Sequence, residues 1–316
     1  MEEVRLIMLI KRILNYLYIR FFAFVNFILN TKKVNEDWVN ISALKDEPSI
    51  KTVDIPKIIW MYWDSNSSNE IVELCFKNTK DICSDYEVIL LSKNNILDYV
   101  DISCLKSDLK PQIIADYIRL SLLSKYGGIW MDASILLVEN LDWIFKKILN
   151  DSVFVFYSDE CTIDRKRPII ENWFIVAPKN NIFINDWLEE FKSCALSIDP
   201  YSYYKNYEGN IEFIQKIGNT NYLMCYISAA IVMKKKSYNI VTLNSGSTGH
   251  YYNYKFKFQS IFIALTLCVR NYHKIYSPKL IKFTQDSRGM INLFMKKGWV
   301  RKDSLMYLIQ KNKFFE

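Results

Sequence analysis

The chain has 316 residues, half of them hydrophobic, which is enough for one large domain with additions or for two smaller ones around a sizeable core. Only 8 glycines and 7 prolines occur, with no low-complexity tract, linker or repeat, which excludes a string of modules. Two histidines exclude a multi-histidine metal site, and the seven scattered cysteines lack any C-x-x-C, so they read as reduced core thiols rather than a disulfide frame or zinc centre.

The net charge of +7 is concentrated at the ends. Lys11, Arg12, Arg20, Lys32 and Lys33 stand in the first segment, and Lys279, Lys282, Arg288, Lys296, Lys297, Arg301, Lys302, Lys311 and Lys313 in the last. Basic ends suit phosphate-rich partners: nucleic acid, anionic lipid or a nucleotide. No zinc-finger, RNP-like or basic-zipper pattern occurs, so nucleic acid is not expected as a partner.

In chain order, "ILNYLYIRFFAFVNFIL" (13–29) is apolar and aromatic but interrupted by Asn15, Arg20 and Asn26. It lacks a signal-peptide cleavage site. As a spanning helix it is short, and Arg20 near mid-bilayer would cost roughly 2.5–3.5 kcal/mol. It reads as a helix lying in the membrane surface, aromatics in the lipid and basic residues at the headgroups. Packing on the protein's own core is the alternative.

A polar connection over 31–55 precedes "IPKIIWMYW" (55–63), a buried strand led in by proline. A helix over 69–80 follows, with Asn66, Ser67 or Ser68 as cap candidates. "YEVILLS" (86–92) reads as a strand and "NNILDYV" (94–100) as a short helix. "PQIIADYIRLSLLSKYGG" (111–128) is a helix opened by Pro111 and ended by Gly127-Gly128. "GIWMDASILLV" (128–138) then reads as a strand running through or past Asp132. Further strands are expected over 152–158 and 172–178, and a helix over 181–194. From about 208 the chain reads as mainly helical, with short strands near 238–243 and 280–284. This alternation predicts an α/β sheet, mostly parallel and covered on both faces. In such sheets ligands bind beyond the carboxyl ends of the strands, where Asp132 falls.

Asp116 and Arg119 lie at i, i+3 on one helix face. In isolation they read as a surface ion pair worth well under about 1 kcal/mol. On a helix that feeds the Asp132 strand they read instead as ligand contacts, a carboxylate for sugar hydroxyls and a planar fork for oxygen-rich groups. "NSGSTGHYY" (244–252), ending near His250, is a small, polar loop whose amides suit phosphate. "PKLIKF" (278–283) offers Lys282 on a short strand. The polar insert 158–172 holds Asp159, Glu160, Asp164 and Glu171, which read either as contacts to acceptor hydroxyls or as a solvated loop.

The stretch "ADYIRLSLLSKYGGIWMDAS" resembles the core of the capsular-polysaccharide-synthesis and initiating-mannosyltransferase-like glycosyltransferases, a superfamily related to the glucosylating clostridial toxins. It matches their Asp-x-x-Arg helix followed by Leu-x-x-x-Gly-Gly-x-x-x-Asp-x-Asp, in a variant ending Asp-Ala-Ser. The strand "IPKIIWMYW" resembles their opening Pro-Lys-Ile-Ile strand. The likeness covers 55–178 well and the remainder weakly.

The resemblance implies a GT-A (Rossmann-like) nucleotide-sugar fold with extra N- and C-terminal helices. It implies a membrane-surface segment at 1–50, a catalytic domain at 51–250 and a basic, mainly helical extension at 251–316 that completes the donor site. Asp116 and Arg119 would contact the donor sugar, and Asp132 the ribose and a metal-bound diphosphate. Trp63 would line the base site, with Trp60 a competitor. Mn²⁺ or Mg²⁺ would sit on Asp132, Ser134 and His250, and Lys282 would face the donor. The second carboxylate of many relatives is Ser134 here, a poorer ligand for hard cations. The implied activity is a retaining hexosyltransferase using a nucleotide diphosphate sugar, with a UDP-sugar the leading donor. The acceptor would be a lipid-linked or growing surface polysaccharide, and the location the inner face of the cell membrane. The alternative is a catalytically silent binding or scaffold subunit.

Overall fold

The computed structural model describes residues 2–29, 33–42, 54–64, 69–148 and 152–313. A long helix α1 (Glu2–Ile28) precedes β1 (Trp38–Ile41). Then come β2 (Ile58–Tyr62), α2 (Glu70–Ile82), β3 (Glu87–Leu91), α3 (Pro111–Tyr126), β4 (Gly128–Met131), β5 (Ile135–Leu137) and α4 (Asp142–Phe145). β6 (Val153–Tyr157) and β7 (Ile170–Ala177) lead to α5 (Ile182–Ala195), α6 (Ile211–Ile214), α7 (Met224–Lys235) and β8 (Ile240–Asn244). The chain continues through α8 (Tyr251–Lys255), α9 (Ser260–Val269), β9 (Leu280–Lys282), α10 (Gln285–Lys296) and α11 (Leu305–Gln310).

The main sheet has the order β1-β8-β6-β7-β4-β2-β3 among the described residues. The α/β class is the one expected. The sheet is mixed rather than mostly parallel: β2 pairs parallel with β3 and β4, and β6 with β8, whereas β1–β8, β4–β7 and β6–β7 are antiparallel. The cause lies in the connection 158–169, which contains no helix to carry the chain across a face. β7 therefore folds back beside β6 and fills the place between β6 and β4.

Both faces are covered, as alternating residues require. Trp60 and Trp130 point into the core with α3, α5 and α7, while Ile59, Met61, Ile129 and Met131 point into a second core with β5 and α4. A third cluster joins α8, α9, α10 and α11 to Leu136 of β5 and Ile281 of β9.

Three local expectations change. The strand through Asp132 breaks after Met131, and β5 leaves the main sheet to pair antiparallel with β9, Ile135 opposite Lys282. The polar connection contains β1, a four-residue edge strand too short to stand out by pattern. The cap of α2 is Asn69, whose side chain accepts from the Ile71 and Val72 amides; Asn66, Ser67 and Ser68 lie outside the described residues. β1, from within 1–50, and β9, from within 251–316, each pair with a strand of the central stretch. All seven cysteines are free, but Cys104 is exposed and Cys161 half-buried, so the core-thiol reading fits five of them.

Helix α1 divides along its length. Ala23 is buried, Phe27 and Phe24 lie 5.8 Å and 6.4 Å from the Phe262 ring of α9, and Arg270 stands 4.3 Å from the Phe27 ring. The preceding turns expose Met8, Leu9, Ile13, Leu14, Leu17 and Phe21. Among the described residues no helix is long and apolar enough to cross a membrane.

The Gly-Gly turn is fixed by backbone and space together. Gly127 has φ +67 and ψ −158, a region almost confined to glycine, and a Cβ there would meet the Lys179 backbone nitrogen at 2.5 Å. Gly128 has φ +94, and its Cβ would meet the Ile58 carbonyl oxygen at 2.7 Å. Gly127→Ala or Gly128→Ala should each lower stability by at least about 1–3 kcal/mol from the backbone conformation, with the collision adding to the loss. Urea unfolding of either variant at wild-type stability would contradict this account.

Candidate functional site

Strand direction brings the chemistry to one edge of the sheet. β2, β4, β6 and β8 all end there, and β7, antiparallel to β4 and β6, begins there. The edge therefore carries Trp63 after β2, Asp132 after β4, Glu171 and Asn172 at the start of β7, and Ser245 after β8. The Asp132 amide donates to the Trp173 carbonyl at 2.9 Å, which ties the end of β4 to β7.

Asp116 and Arg119 are not a surface pair. Both side chains are buried, with Arg119 Nη1 3.2 Å from Asp116 Oδ1. The same nitrogen donates to the Asn172 carbonyl at 2.8 Å, and the Asn172 amide donates to Asp116 Oδ1 at 2.8 Å. Arg119 Nη2 reaches Asp132 Oδ1 at 3.3 Å, and the guanidinium lies 4.9 Å from the Trp130 ring centre. Burial pushes the Asp116 carboxyl up to about 7, against the pull of Arg119. Truncating one member of such a buried pair typically costs about 3–5 kcal/mol.

Asp132 is held from three sides. Its Oδ1 accepts from Arg119 and from Trp130 Nε1 at 3.0 Å, and its Oδ2 accepts from Lys282 Nζ at 2.5 Å. Burial opposes its ionisation, but Lys282 and Arg119 outweigh it and hold the carboxyl below its usual range. Lys282, 150 residues away in sequence, arrives beside Asp132 through the β5–β9 pairing.

The expected metal set is not assembled as ligands. Ser134 is buried, and its hydroxyl donates to the Phe283 carbonyl at 3.2 Å, bracing β5 against the end of β9. His250 is buried beside Trp173; its Nδ1 accepts from the Asn253 amide at 2.9 Å, which leaves the proton on Nε2, 3.6 Å from Glu171 Oε2. Among the described residues no group of three metal-ligating side chains forms. The donor set offers one carboxylate, already paired with an ammonium, so these residues do not fit Mn²⁺ or Mg²⁺. The 244–252 loop is also turned inward: the Gly246 amide donates to Asn244 Oδ1, and the Thr248 and His250 amides donate to the Ser245 carbonyl.

Trp60 and Trp63 separate cleanly. Trp60 is core, donating to the Gly127 carbonyl at 3.0 Å and packing on Tyr99 and Tyr126. Trp63 is half-buried at the edge, 5.1 Å from the Arg288 guanidinium, and its Nε1 has no hydrogen-bond partner among the described residues.

Glu171, expected among acceptor contacts, is buried instead. It accepts from Ser245 Oγ at 3.1 Å and from Trp173 Nε1. Burial pushes it up to about 7, against those hydrogen bonds and Lys282. The same burial pulls His250 down to about 3, with Lys282 adding to the fall. Asp159 and Glu160 are exposed, and Asp164 is half-buried and paired with Arg167. Residues missed at the sequence level are Asn172, Trp130 and Arg288. Asn172 and Trp130 were visible as polar and indole groups at strand ends. Arg288 was visible only as part of a basic tail. A groove of about 360 Å³ lined by 178–183 and 236–239 lies where β7 ends, at the opposite edge of the sheet.

The model of the capsular polysaccharide synthesis protein family matches residues 14–207, more than half of the chain. The chain is 31% identical over 171 residues to "Probable glycosyltransferase FCK3" of Fusarium pseudograminearum, covering 45% of this chain and 40% of that protein. It is 30% identical over 156 residues to "O-glycosyltransferase braB" of Annulohypoxylon truncatum, covering 43% and 37%. The chain thus spans about two fifths of the length of the curated relatives it matches. Among solved structures, the apo-form glycosyltransferase GlyE of Streptococcus pneumoniae is 12% identical, covers 79% of this chain and 66% of its own, and superposes with a TM-score of 0.40, too loose a likeness to build on.

The raised Glu171 value sets a pH dependence. Its folded-state value lies above the ordinary 4.5, so its contribution to stability is complete below about 4.5 and is lost as pH rises to about 7. Wild type should therefore lose stability relative to Glu171→Gln across that window. A gap between the two urea curves that stays constant, or widens in favour of wild type with rising pH, would refute the buried neutral carboxyl.

Proposed function

The chain belongs to the capsular polysaccharide synthesis protein family, and from that premise we propose that it is a glycosyltransferase. It moves a hexose from a nucleotide diphosphate sugar, with a UDP-sugar the leading donor, to a lipid-linked or growing surface polysaccharide. The observation that supports this reading is the linked set Asp116–Arg119–Asp132–Lys282 at the sheet edge, beside an indole with a free N–H.

In this reading the base lies on Trp63, the ribose hydroxyls meet Asp132, and the donor sugar meets Asp116 and Arg119. Lys282 faces the diphosphate. During transfer the bond from the anomeric carbon to the diphosphate oxygen breaks, and its electron pair leaves with the nucleoside diphosphate. An acceptor oxygen bonds to the same carbon, and its proton passes to the departing diphosphate. We take the reaction as retaining: Asp132 is locked between two cations, no unpaired carboxylate among the described residues stands beside it to serve as the general base of an inverting displacement, and the departing diphosphate takes the acceptor proton on its own face of the sugar. Fixed positive charge where the diphosphate charge develops is the main source of rate.

Asp132→Asn should keep the fold and reduce turnover by at least about 100-fold, the scale for losing one electrostatic stabiliser. Arg119→Lys should also reduce turnover, because a point charge cannot span Asp116, Asp132 and the Asn172 carbonyl together. Transfer from a panel of UDP-, GDP- and CMP-sugars is the assay. Near-normal turnover in Asp132→Asn would remove this edge from the chemistry. Donor binding in wild type without hydrolysis or transfer would favour a silent binding subunit.

The membrane assignment belongs to the same proposal. The exposed apolar turns of α1, flanked by Arg5, Lys11, Arg12 and Arg20, lie in the cytoplasmic leaflet of the cell membrane, while its last turns hold the body of the protein. Leu14→Glu/Leu17→Glu/Phe21→Glu leaves the Ala23–Phe27 contact intact. Wild type should float with anionic vesicles, less at high salt, and the triple variant should not. Equal flotation of both, or of neither, would end the assignment.

A further inference from the structure

The sheet edge contains more positive charge than its carboxylates use. Asp132 carries one bound cation already: Lys282 occupies Oδ2, while Arg119 and Trp130 occupy Oδ1. A divalent ion here would have to displace that ammonium and find oxygen ligands, whereas the neighbouring hydroxyl of Ser134 is turned to the Phe283 carbonyl. A second cation stands close by. Arg288 lies in the first turn of α10, its guanidinium 5.1 Å from the Trp63 ring, and Nη1 donates to the Phe283 carbonyl at 3.4 Å. It is half-buried, it senses the Asp132 charge, and it makes no ion pair among the described residues.

The two cations are mechanically joined. Lys282 ends β9, Arg288 stands in the first turn of α10, and the Phe283 carbonyl between them accepts from both Ser134 and Arg288. Thr284 and Ser287 close a capping box that fixes the corner. The Lys282 amide donates to the Gly249 carbonyl at 2.9 Å, and its carbonyl accepts from Asn253 at 3.0 Å. A half-buried cation without a carboxylate partner gives an arriving anion a partly desolvated, unneutralised charge to meet. Trp63, against the same guanidinium, has an indole N–H that also lacks a partner.

We propose that Lys282 and Arg288 form a clamp that holds the donor's diphosphate in place of a divalent cation, with the donor's base against Trp63. This rests on the glycosyltransferase reading above and departs from the expectation of Mn²⁺ or Mg²⁺. One positive group meets each phosphate, and Ser134, at the position where relatives carry a second carboxylate, positions the clamp instead of binding metal. Lys282 and Arg288 are donor-binding residues; Ser134 is a positioning residue.

The test is calorimetric titration of the full-length protein with UDP, GDP and inorganic pyrophosphate, in EDTA and in Mn²⁺. The Kd of the nucleotide that binds should agree within about twofold between the two buffers. Arg288→Ala should weaken binding by at least about tenfold, the scale of a charge-assisted contact. Lys282→Ala should weaken it similarly in EDTA and recover part of the loss in Mn²⁺, because Asp132 is then free to take the ion. Arg288 sits on a helix surface and its variant keeps the test open if Lys282→Ala fails to fold. Wild-type binding that disappears in EDTA and returns with Mn²⁺ would overturn the clamp and leave the glycosyltransferase reading standing. Arg288→Ala that binds like wild type would also overturn it. No binding of any of the three probes in either buffer would bring down the donor site itself, and the clamp with it.

Discussion

The Asp132 carboxylate, held between the Arg119 guanidinium and the Lys282 ammonium, is the interaction on which the rest of the structure turns. Each partner comes from a different layer: Arg119 from a helix on one face, Lys282 from the small β5–β9 sheet on the other side. The charge can sit half-buried because both carboxylate oxygens are paired, which is the condition under which a partly desolvated ion survives. The Gly-Gly turn matters for the same reason. Only glycine lets the chain leave α3 and enter β4 against the backbones of Ile58 and Lys179, and that tight entry sets the short strand that delivers Asp132 within reach of Arg119 thirteen residues earlier.

Around this charged centre the structure keeps its neighbours neutral. Glu171 and His250 meet at 3.6 Å, yet burial pushes the carboxyl up to about 7 and the imidazole down, so the imidazole is neutral and the carboxyl carries its charge only as pH rises past about 7. Lys282, between Asp132 and the Trp173 indole, adds to the fall of His250 and works against the rise of Glu171. The electrostatic consequence is a polarised edge: fixed positive charge toward Trp63 and a neutral hydrogen-bonded wall toward Ser245. An anion entering this edge meets cations on one side and little repulsion on the other.

Much of this was legible in the sequence, for identifiable reasons. Pro111, the Gly-Gly pair and the uninterrupted apolar run of 128–131 are local signals, and they specified α3, the turn and β4. Asp116, Arg119 and Asp132 were readable because they are close in sequence and carry a recognisable spacing. Lys282 was readable only through family likeness, since nothing local says that β9 pairs with β5. The mixed sheet was not legible, because the pairing of β7 between β6 and β4 is long-range and the polar insert over 158–169 does not show locally which way the next strand runs. Ser134 and His250 were misread as ligands because spacing does not reveal what a polar side chain already bonds to. Arg288 was hidden in a run of basic residues whose individual directions depend on α10.

The helical layer built by α8, α9, α10 and α11 joins two features that look unrelated in the sequence. Phe262 of α9 receives Phe24 and Phe27 of α1, and α9 also packs on α10, which carries Arg288. The exposed apolar length of α1 and the cationic corner at Trp63 are therefore parts of one packed body rather than a tether and a domain. On the proposed function, with the acceptor held in a lipid leaflet, this coupling would set the height of the donor above the membrane and bring the acceptor hydroxyl to the anomeric carbon by position. That offset would give the exposed aromatic turns of α1 a role in the same chemistry as the cationic corner, through the α9–α10 layer that carries both.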